Sequence, residues 1–103
     1  MDEKATRKTI PGLVGLRRPF SNTSGTLRGI VDPDSSVISQ AILLGEMAED
    51  QAQILQADSQ HGISYLVMSY QMPIAWEVEG VFRIIEQSLT QTSERHRELL
   101  YLV

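Results

Sequence analysis

The sequence predicts an α+β fold, a small antiparallel β-meander with one or two packed helices and a flexible N-terminal arm. Three observations lead to this prediction. Residues 63–70, 74–79 and 81–87 form three apolar or alternating runs separated by turn residues, the pattern of consecutive strands. Residues 37–58 are rich in Ala, Gln, Glu, Leu and Met and contain no proline, which favours helix. The 103 residues suffice for one hydrophobic core but not for two domains.

The first twenty residues give the predicted arm. They contain two prolines and two glycines and show no sustained hydrophobic period. We therefore place a basic flexible arm at residues 1–20 and a single α+β domain at residues 21–103. The domain opens with the turn residues SNTSG, followed by a short strand at residues 26–31 that the run DPD ends.

The formal net charge of −4 hides an asymmetry along the chain. Residues 1–31 have a net charge of +4, whereas residues 32–103 have a net charge of −8. A basic arm therefore precedes an acidic body. The arm either lies on the acidic body or is solvated, or it reaches the phosphates of a nucleic acid, and the overall pI near 5.0 opposes the last reading.

Gly45 is expected to divide the predicted helix, with residues 46–58 as its firmer half. This half has a thin apolar stripe of Ala48, Ala52 and Leu55, so it covers a core without supplying much of it. The alternative is that the helix pairs with a partner molecule.

The run at residues 63–70 is apolar on both faces, which indicates a strand covered on both sides. In the second strand Ile74, Trp76 and Val78 fall on one face, and a Glu-Gly turn leads to the third strand. Pro73 cannot donate a ladder hydrogen bond, so we expect it at the bend before the second strand.

The octet SYQMPIAW at residues 69–76 has two readings. Burial of Trp76 against a helix makes it architecture, whereas outward-facing aromatic rings make it a binding surface. The alternation of the second strand favours burial of Trp76. Tyr65 and Tyr70 lie on opposite faces of the first strand, so one of them is expected to reach the surface.

The chain ends in TQTSERHRELLYLV, which predicts a helix with Thr92 or Ser93 as its N-cap. The end of this segment is apolar, and residues one apart on a helix face different directions. A second copy of the chain in a two-fold homodimer would cover the apolar side chains that cannot face the sheet. Alternatively, the last residues add a strand to the meander. The candidates for self-association are Leu99, Leu100, Leu102 and Val103.

The sequence offers little for catalysis or for metal binding. It has no cysteine, which excludes disulfides, thiolate nucleophiles and Cys-based zinc sites and makes the cytoplasm the simplest compartment. His61 and His96 stand in no triad, HExxH or nucleophile-elbow context, and no glycine pattern resembles a nucleotide-binding loop. We expect no enzyme, no cofactor, no metal and no membrane segment.

Three stretches show a resemblance: RPFSNTSGTLRG at 18–29, SYQMPIAW at 69–76, and the Ser/Thr-rich run that ends in histidine at 88–96. In these stretches the chain resembles small actinobacterial and actinobacteriophage proteins of unknown function, which look like short α+β domains with a Y-S-Y-x-T-P-I-A-W-like strand. It departs from their pattern at Met72, where threonine is usual, and at Met68, where an aromatic residue is common. The spacing before His96 is also a residue longer.

The resemblance implies a non-enzymatic accessory protein of bacteriophage type that binds a host or phage protein in the cytoplasm of the host bacterium. The alternative is a small nucleic-acid-associated regulator that uses the basic arm. The candidates for partner binding are Tyr70, Met72, Arg17, Arg18 and Arg28.

Overall fold

The structure, a computed structural model, describes residues 3–103, with side chains from Ala5 onward. This part of the chain forms four helices and six strands. In chain order they are β1 (Glu3–Ala5), α1 (Ile10–Gly15), β2 (Phe20–Asn22), β3 (Leu27–Val31), α2 (Ser35–Leu44), α3 (Glu49–Ser59), β4 (Ile63–Ser69), β5 (Met72–Val78), β6 (Val81–Ile84) and α4 (Gln91–Leu100).

The six strands form one sheet in chain order, from β1 at one edge to β6 at the other. Strands β2 to β6 are antiparallel, and β1 runs parallel to β2. The α+β class is therefore confirmed, and the predicted meander is its β4-β5-β6 half. The sheet is larger than predicted because β3 continues the antiparallel order from β4, with Gly29 opposite Val67.

Helices cover both faces of the sheet, as the apolar run at residues 63–70 predicted for its strand, and the described residues form four helices where one or two were predicted. Helices α1 and α4 pack on one face together with Phe20, Tyr65 and Ile85. Helices α2 and α3 pack on the other face together with Leu66 and Trp76. Strand β4 alternates between the two cores, which explains why its sequence is apolar at nearly every position.

The N-terminal segment differs most from the prediction. Residues 5–20 are not a flexible arm, because Ile10, Leu13 and Val14 on α1 are buried in the first core and Phe20 is fully buried on β2. These apolar side chains fix the segment despite its glycines and prolines. Met1 and Asp2, which belong to the predicted arm, lie outside the described residues.

Gly45 ends α2, as the sequence predicted, and Asp34 begins it by accepting a hydrogen bond from the Val37 N–H at 3.0 Å. A side chain at position 45 would not fit, because its Cβ would lie 2.9 Å from Cδ of Pro73. The helix break is therefore also a contact between α2 and strand β5.

Pro73 lies within β5, not at the bend before it, and this corrects the prediction. It pairs with Met68 at a register shift, and β6 pairs with β5 only from Ala75 onward. The shift adds one residue to β5 and turns Ile74 towards the α1/α4 core, away from Trp76. The predicted common face of Ile74 and Trp76 is therefore wrong.

Trp76 is buried, with 1% of its surface exposed. Its Nε1–H donates to Oδ2 of Asp58 on α3 at 2.8 Å, and the Arg83 Nε–H donates to the same oxygen at 2.7 Å. The tryptophan thus fills the α2/α3 core and also connects α3 to the sheet. Trp76 in SYQMPIAW is therefore a structural core residue and not part of a binding surface.

The C-terminal helix begins with Thr90 as its N-cap, earlier than predicted, since the Thr90 Oγ1 accepts from the Ser93 N–H at 3.3 Å. Leu99 and Leu100 are buried against the first core, so they are not available for self-association. Leu102 and Val103 follow the helix and are exposed, and they add no strand to the sheet.

We predict that Trp76→Ala lowers the free energy of unfolding by about 3–5 kcal/mol, as for other large core aromatics. Urea unfolding followed by circular dichroism measures this change. The exposed Leu43→Ala on α2 is the matched control, with an expected change within about 0.5 kcal/mol. Equal stabilities of the two variants would contradict the buried position of Trp76.

Candidate functional site

A surface groove of about 740 Å³ lies beside the turn that joins β4 to β5. It is lined by the end of α2, the β3 strand, the turn itself and the start of α4. We call it the hairpin groove and define it by Arg28, Leu44, Tyr70, Met72, Leu89 and Thr92. Three of the five partner-binding candidates, Arg28, Tyr70 and Met72, therefore meet here.

Tyr70 occupies the turn between Ser69 and Met72 with a φ of 57°, a conformation in which a side chain is disfavoured. Such a conformation costs about 1–2 kcal/mol for an L-residue with a Cβ, and hairpin turns usually place glycine or asparagine there. The turn is held by a hydrogen bond from the Tyr70 N–H to the Thr26 carbonyl at 2.7 Å. Tyr70 is nonetheless 49% exposed, so core packing accounts for only part of its side chain.

Arg28 supplies a positive charge on one wall of the hairpin groove. It lies on β3 opposite Met68, and its side chain is exposed. Its guanidinium forms no hydrogen bond or ion pair with any residue in the part of the chain that the structure describes. This arginine is available to an anionic group outside the chain.

Ser69 and Ser93, which line the hairpin groove, form a buried polar cluster with His96. The Ser69 Oγ lies 2.7 Å from His96 Nδ1 and 2.8 Å from the Ser93 Oγ. The Tyr70 ring stacks obliquely beside it, with its centroid 6.2 Å from that of His96. The cluster joins β4 to α4 under the exposed tyrosine.

His96 is held towards its neutral form. Burial lowers its pKa below the usual value, and the nearby Arg7 charge lowers the pKa further. Within residues 5–103 no fully buried side-chain nitrogen or oxygen lacks a partner, and Nε2 of His96 has no hydrogen bond to these residues. Nε2 therefore reaches solvent, on the side of a second cavity of about 420 Å³ that Arg7 also lines.

A serine beside a histidine invites a catalytic reading, but the geometry opposes it. The Ser69 side chain is completely buried, and a nucleophile must reach its substrate. Among the described acidic side chains, none hydrogen-bonds His96 to orient its ring. The cluster is better suited to positioning the Tyr70 turn than to acyl transfer.

Arg17 and Arg18, the other two candidates, lie away from the hairpin groove. Arg17 donates to Glu77 Oε2 at 2.8 Å and lies over the Phe82 ring at 4.5 Å. Hydrogen bonding from Arg17 is the main cause that lowers the pKa of Glu77. The backbone carbonyl of Arg18 accepts a hydrogen bond from the Tyr65 hydroxyl at 2.6 Å. Arg17 is thus occupied within the fold.

The exposed chain end contacts α1. A Cβ at Gly15 would lie 3.6 Å from Val103 Cγ1, and the neighbouring Leu16 and Leu102 are largely exposed. Two of the four self-association candidates, Leu102 and Val103, therefore belong to an exposed apolar surface.

Two further findings concern the described residues. They contain no group of three or more His, Cys, Asp or Glu side chains placed to hold a metal ion. None of their helices has the length and hydrophobicity that crossing a membrane requires.

Comparison of the chain with protein-family models, with curated proteins and with solved structures found no match.

The Ser69-Ser93-His96 cluster was not predicted from the sequence. These residues are up to 27 positions apart, and no local spacing connects them. The only signal was the histidine that ends the Ser/Thr-rich run of residues 88–96.

We predict that acid destabilises the protein through His96. The folded protein keeps His96 neutral at pH values where the unfolded chain binds a proton, because its folded pKa lies below the usual 6.5. The free energy of unfolding therefore falls as the pH drops through the usual 6.5 and levels off below the folded pKa.

Urea unfolding at a series of pH values measures this slope. His96→Asn, which can still hydrogen-bond Ser69, is expected to flatten it, whereas the exposed His61→Gln is expected to keep it. The carboxylates whose pKa values are lowered, such as Glu77, affect stability at lower pH, as the pH falls through and below their usual pKa of 4.5. An unchanged slope in His96→Asn would contradict the assignment.

The two arginines predict opposite mutational results. Arg17→Ala is expected to lower the free energy of unfolding by about 1–3 kcal/mol, because it leaves Glu77 without its charged partner. This loss is full above the usual Glu77 pKa of 4.5 and shrinks at lower pH. Arg28→Ala is expected to change stability by less than about 0.5 kcal/mol. Thermal unfolding at neutral pH compares them, and a larger loss for Arg28→Ala would reverse the assignment.

Proposed function

We propose that the protein is a non-enzymatic accessory protein of phage type that acts by binding a host or phage protein through the hairpin groove. The observation that supports this most is the convergence of Arg28, Tyr70 and Met72, from two strands and a turn, on one open surface. The resemblance to actinobacteriophage proteins supports the class of the protein.

The groove has the mixture of groups that protein recognition uses. Tyrosine, methionine and arginine are enriched at protein interfaces, where they combine large apolar contact with a polar end. Leu44 and Leu89 add apolar wall, and Arg28 adds an unpaired cation. The partner segment that fits places an apolar side chain against Met72 and a carboxylate near Arg28.

The strained turn gives the same indication. Glycine at position 70 would relieve the positive φ, yet the chain keeps a half-exposed tyrosine there. Strained residues cluster at functional sites, and among the five described non-glycine residues with a positive φ Tyr70 is the aromatic one. SYQMPIAW thus has two parts: Trp76 serves the core, and we assign Tyr70 and Met72 to binding.

The nucleic-acid alternative has less support. It relied on the basic arm, but the Arg17 side chain is bound to Glu77 and α1 is packed in the core. Within residues 5–31, phosphate binding would use the exposed cations Arg7, Lys8, Arg18 and Arg28, which lie on an acidic chain.

The test is affinity capture from actinobacterial lysate, with and without phage infection, on immobilised wild-type protein and variants. Tyr70→Gly and Arg28→Glu are expected to lose the captured protein, and the exposed Lys8→Glu, with the same charge change, is expected to keep it. Tyr70→Gly is expected to be as stable as the wild type or more stable by up to about 1 kcal/mol. Its loss of binding would then not come from unfolding.

Three outcomes contradict the proposal. They are capture that survives both groove variants, capture that only Lys8→Glu abolishes, and a bound fraction made of nucleic acid that salt elutes.

A further inference from the structure

The outer edge of strand β6 is open. The sheet ends at β6, and within residues 3–103 no strand pairs with its outer side. Glu79 and Gly80, with φ values of 50° and 79°, form the two-residue turn between β5 and β6. Such a turn makes the residues on either side of it, Val78 on β5 and Val81 on β6, a hydrogen-bonded pair.

The hydrogen-bonding groups on this edge belong to Phe82 and Ile84. Antiparallel strands alternate between residues that bond their neighbour and residues that point away. The backbone N–H and C=O groups of Val81 and Arg83 face β5, and the Ile85 N–H donates to the Ile74 carbonyl at 2.9 Å. The N–H and C=O groups of Phe82 and Ile84 therefore point outward, where an extended chain can pair with them.

The open edge has a defined end. The Glu86 N–H donates to Oε1 of Gln51 at 3.0 Å, and the Ile85 carbonyl accepts from Arg97 at 2.9 Å. Side chains from α3 and α4 thus satisfy the backbone hydrogen-bonding groups beyond Ile84. The outward N–H and C=O groups of Phe82 and Ile84 have no such side-chain partners. A short strand, and no long one, fits between this end and the turn.

Exposed apolar side chains flank the edge on both faces of the sheet. Ile54 on α3, Val81 on β6 and Tyr101 after α4 are 38%, 51% and 62% exposed. Together with Phe82 and Ile84 they line a cleft of about 490 Å³ along the edge. Unpaired backbone groups, which can hydrogen-bond an added strand, therefore lie beside an apolar cleft, which can receive the side chains of that strand. This arrangement is the one used for β-strand addition.

The charges identify the occupant. The one charge within β6, Arg83, is neutralised by Asp58 at 2.7 Å, so it does not protect the edge as a free cation would. Exposed acids stand at both ends, Glu86 after the strand and Glu79 before it, where the Glu79 Oε1 lies 3.2 Å from Nδ1 of the exposed His61. Antiparallel pairing with a second copy would bring the Glu79 end of each chain to the Glu86 end of the other, and these like charges oppose it.

We infer that the β6 edge binds an extended segment of another protein, apolar at alternate positions and with Lys or Arg near both ends. The inference shares with the proposed function only the class of partner, a protein. It concerns a different surface, since no residue that lines the β6 cleft also lines the hairpin groove.

The test uses the full-length, isotope-labelled protein and a capped peptide, Lys-Val-Thr-Val-Thr-Val-Lys, followed by amide NMR. Binding is expected to shift the β6 amide signals and to slow hydrogen exchange of the Phe82 and Ile84 amides by about tenfold or more, since paired amides exchange through opening. The same peptide, N-methylated at its five central residues, keeps the charges and side chains but lacks the N–H donors and places methyl groups against the neighbouring strand, so it is expected not to bind.

Val81→Lys is the edge variant and Leu43→Lys is its control, because both replace an exposed apolar residue with the same charge. The edge variant is expected to weaken peptide binding by about tenfold or more through repulsion of the lysines. The control is expected to bind as the wild type does. Tyr70→Gly is also expected to bind normally, so failure of the hairpin groove and failure of this inference give different results.

Four results would overturn the inference. They are no β6 shifts at millimolar peptide, equal binding of the N-methylated peptide, equal binding by folded Val81→Lys, and concentration-dependent β6 shifts without peptide. The last result would show that a second copy covers the edge. Should Val81→Lys unfold, the two peptides on the wild-type protein decide the question.

Discussion

Coverage of β4 and β5 on both faces is the constraint on which the rest of the structure depends. Between Ile63 and Val78 nearly every side chain outside the turn is buried, so any polar atom in this hairpin must find a partner inside the protein. No fully buried side-chain nitrogen or oxygen in residues 5–103 is left without one. Ser64 bonds Glu77 within the hairpin, whereas Tyr65, Trp76 and Ser69 find partners on three different surrounding elements. These three bonds therefore fix the elements as well as satisfy the atoms.

Three polar side chains of the hairpin show this. Tyr65 donates to the Arg18 carbonyl and so holds the segment between α1 and β2. Trp76 donates to Asp58 and holds α3. Ser69 bonds His96 and holds α4 on the opposite face from α3. An apolar core alone would tolerate small shifts of these helices, whereas directional bonds to buried atoms specify one position for each.

The elements that were predicted correctly are those whose sequence pattern lies within a short window of the chain. The meander, the helix break at Gly45 and the burial of Trp76 follow from alternation, composition and turn residues in short windows. The N-terminal segment was read as an arm because of its glycines, prolines and charges, although Ile10, Leu13 and Val14 already have the spacing of one helical face. The extra residue in β5 was not predictable, since a bulge changes which face Ile74 takes without changing composition. The Ser69-His96 contact depends on the completed packing of α4, and only the three-dimensional structure brings these residues together.

The basic N-terminal third of the chain shows how the fold divides one residue type between two roles. Arg17 has a φ of 54° after α1, which turns its side chain back onto Val14 and Glu77. Arg28 lies on a strand whose alternation points it away from the α1/α4 core and into the hairpin groove. The same guanidinium thus stabilises the protein at one position and is free at the other. Arg28 forms no ion pair with the described residues, and it lines the same groove as Tyr70, which is half exposed and contacts His96 with its ring. Because the packing of the chain accounts for only part of the Tyr70 side chain and for none of the Arg28 charge, we propose that a partner bound in the groove uses both.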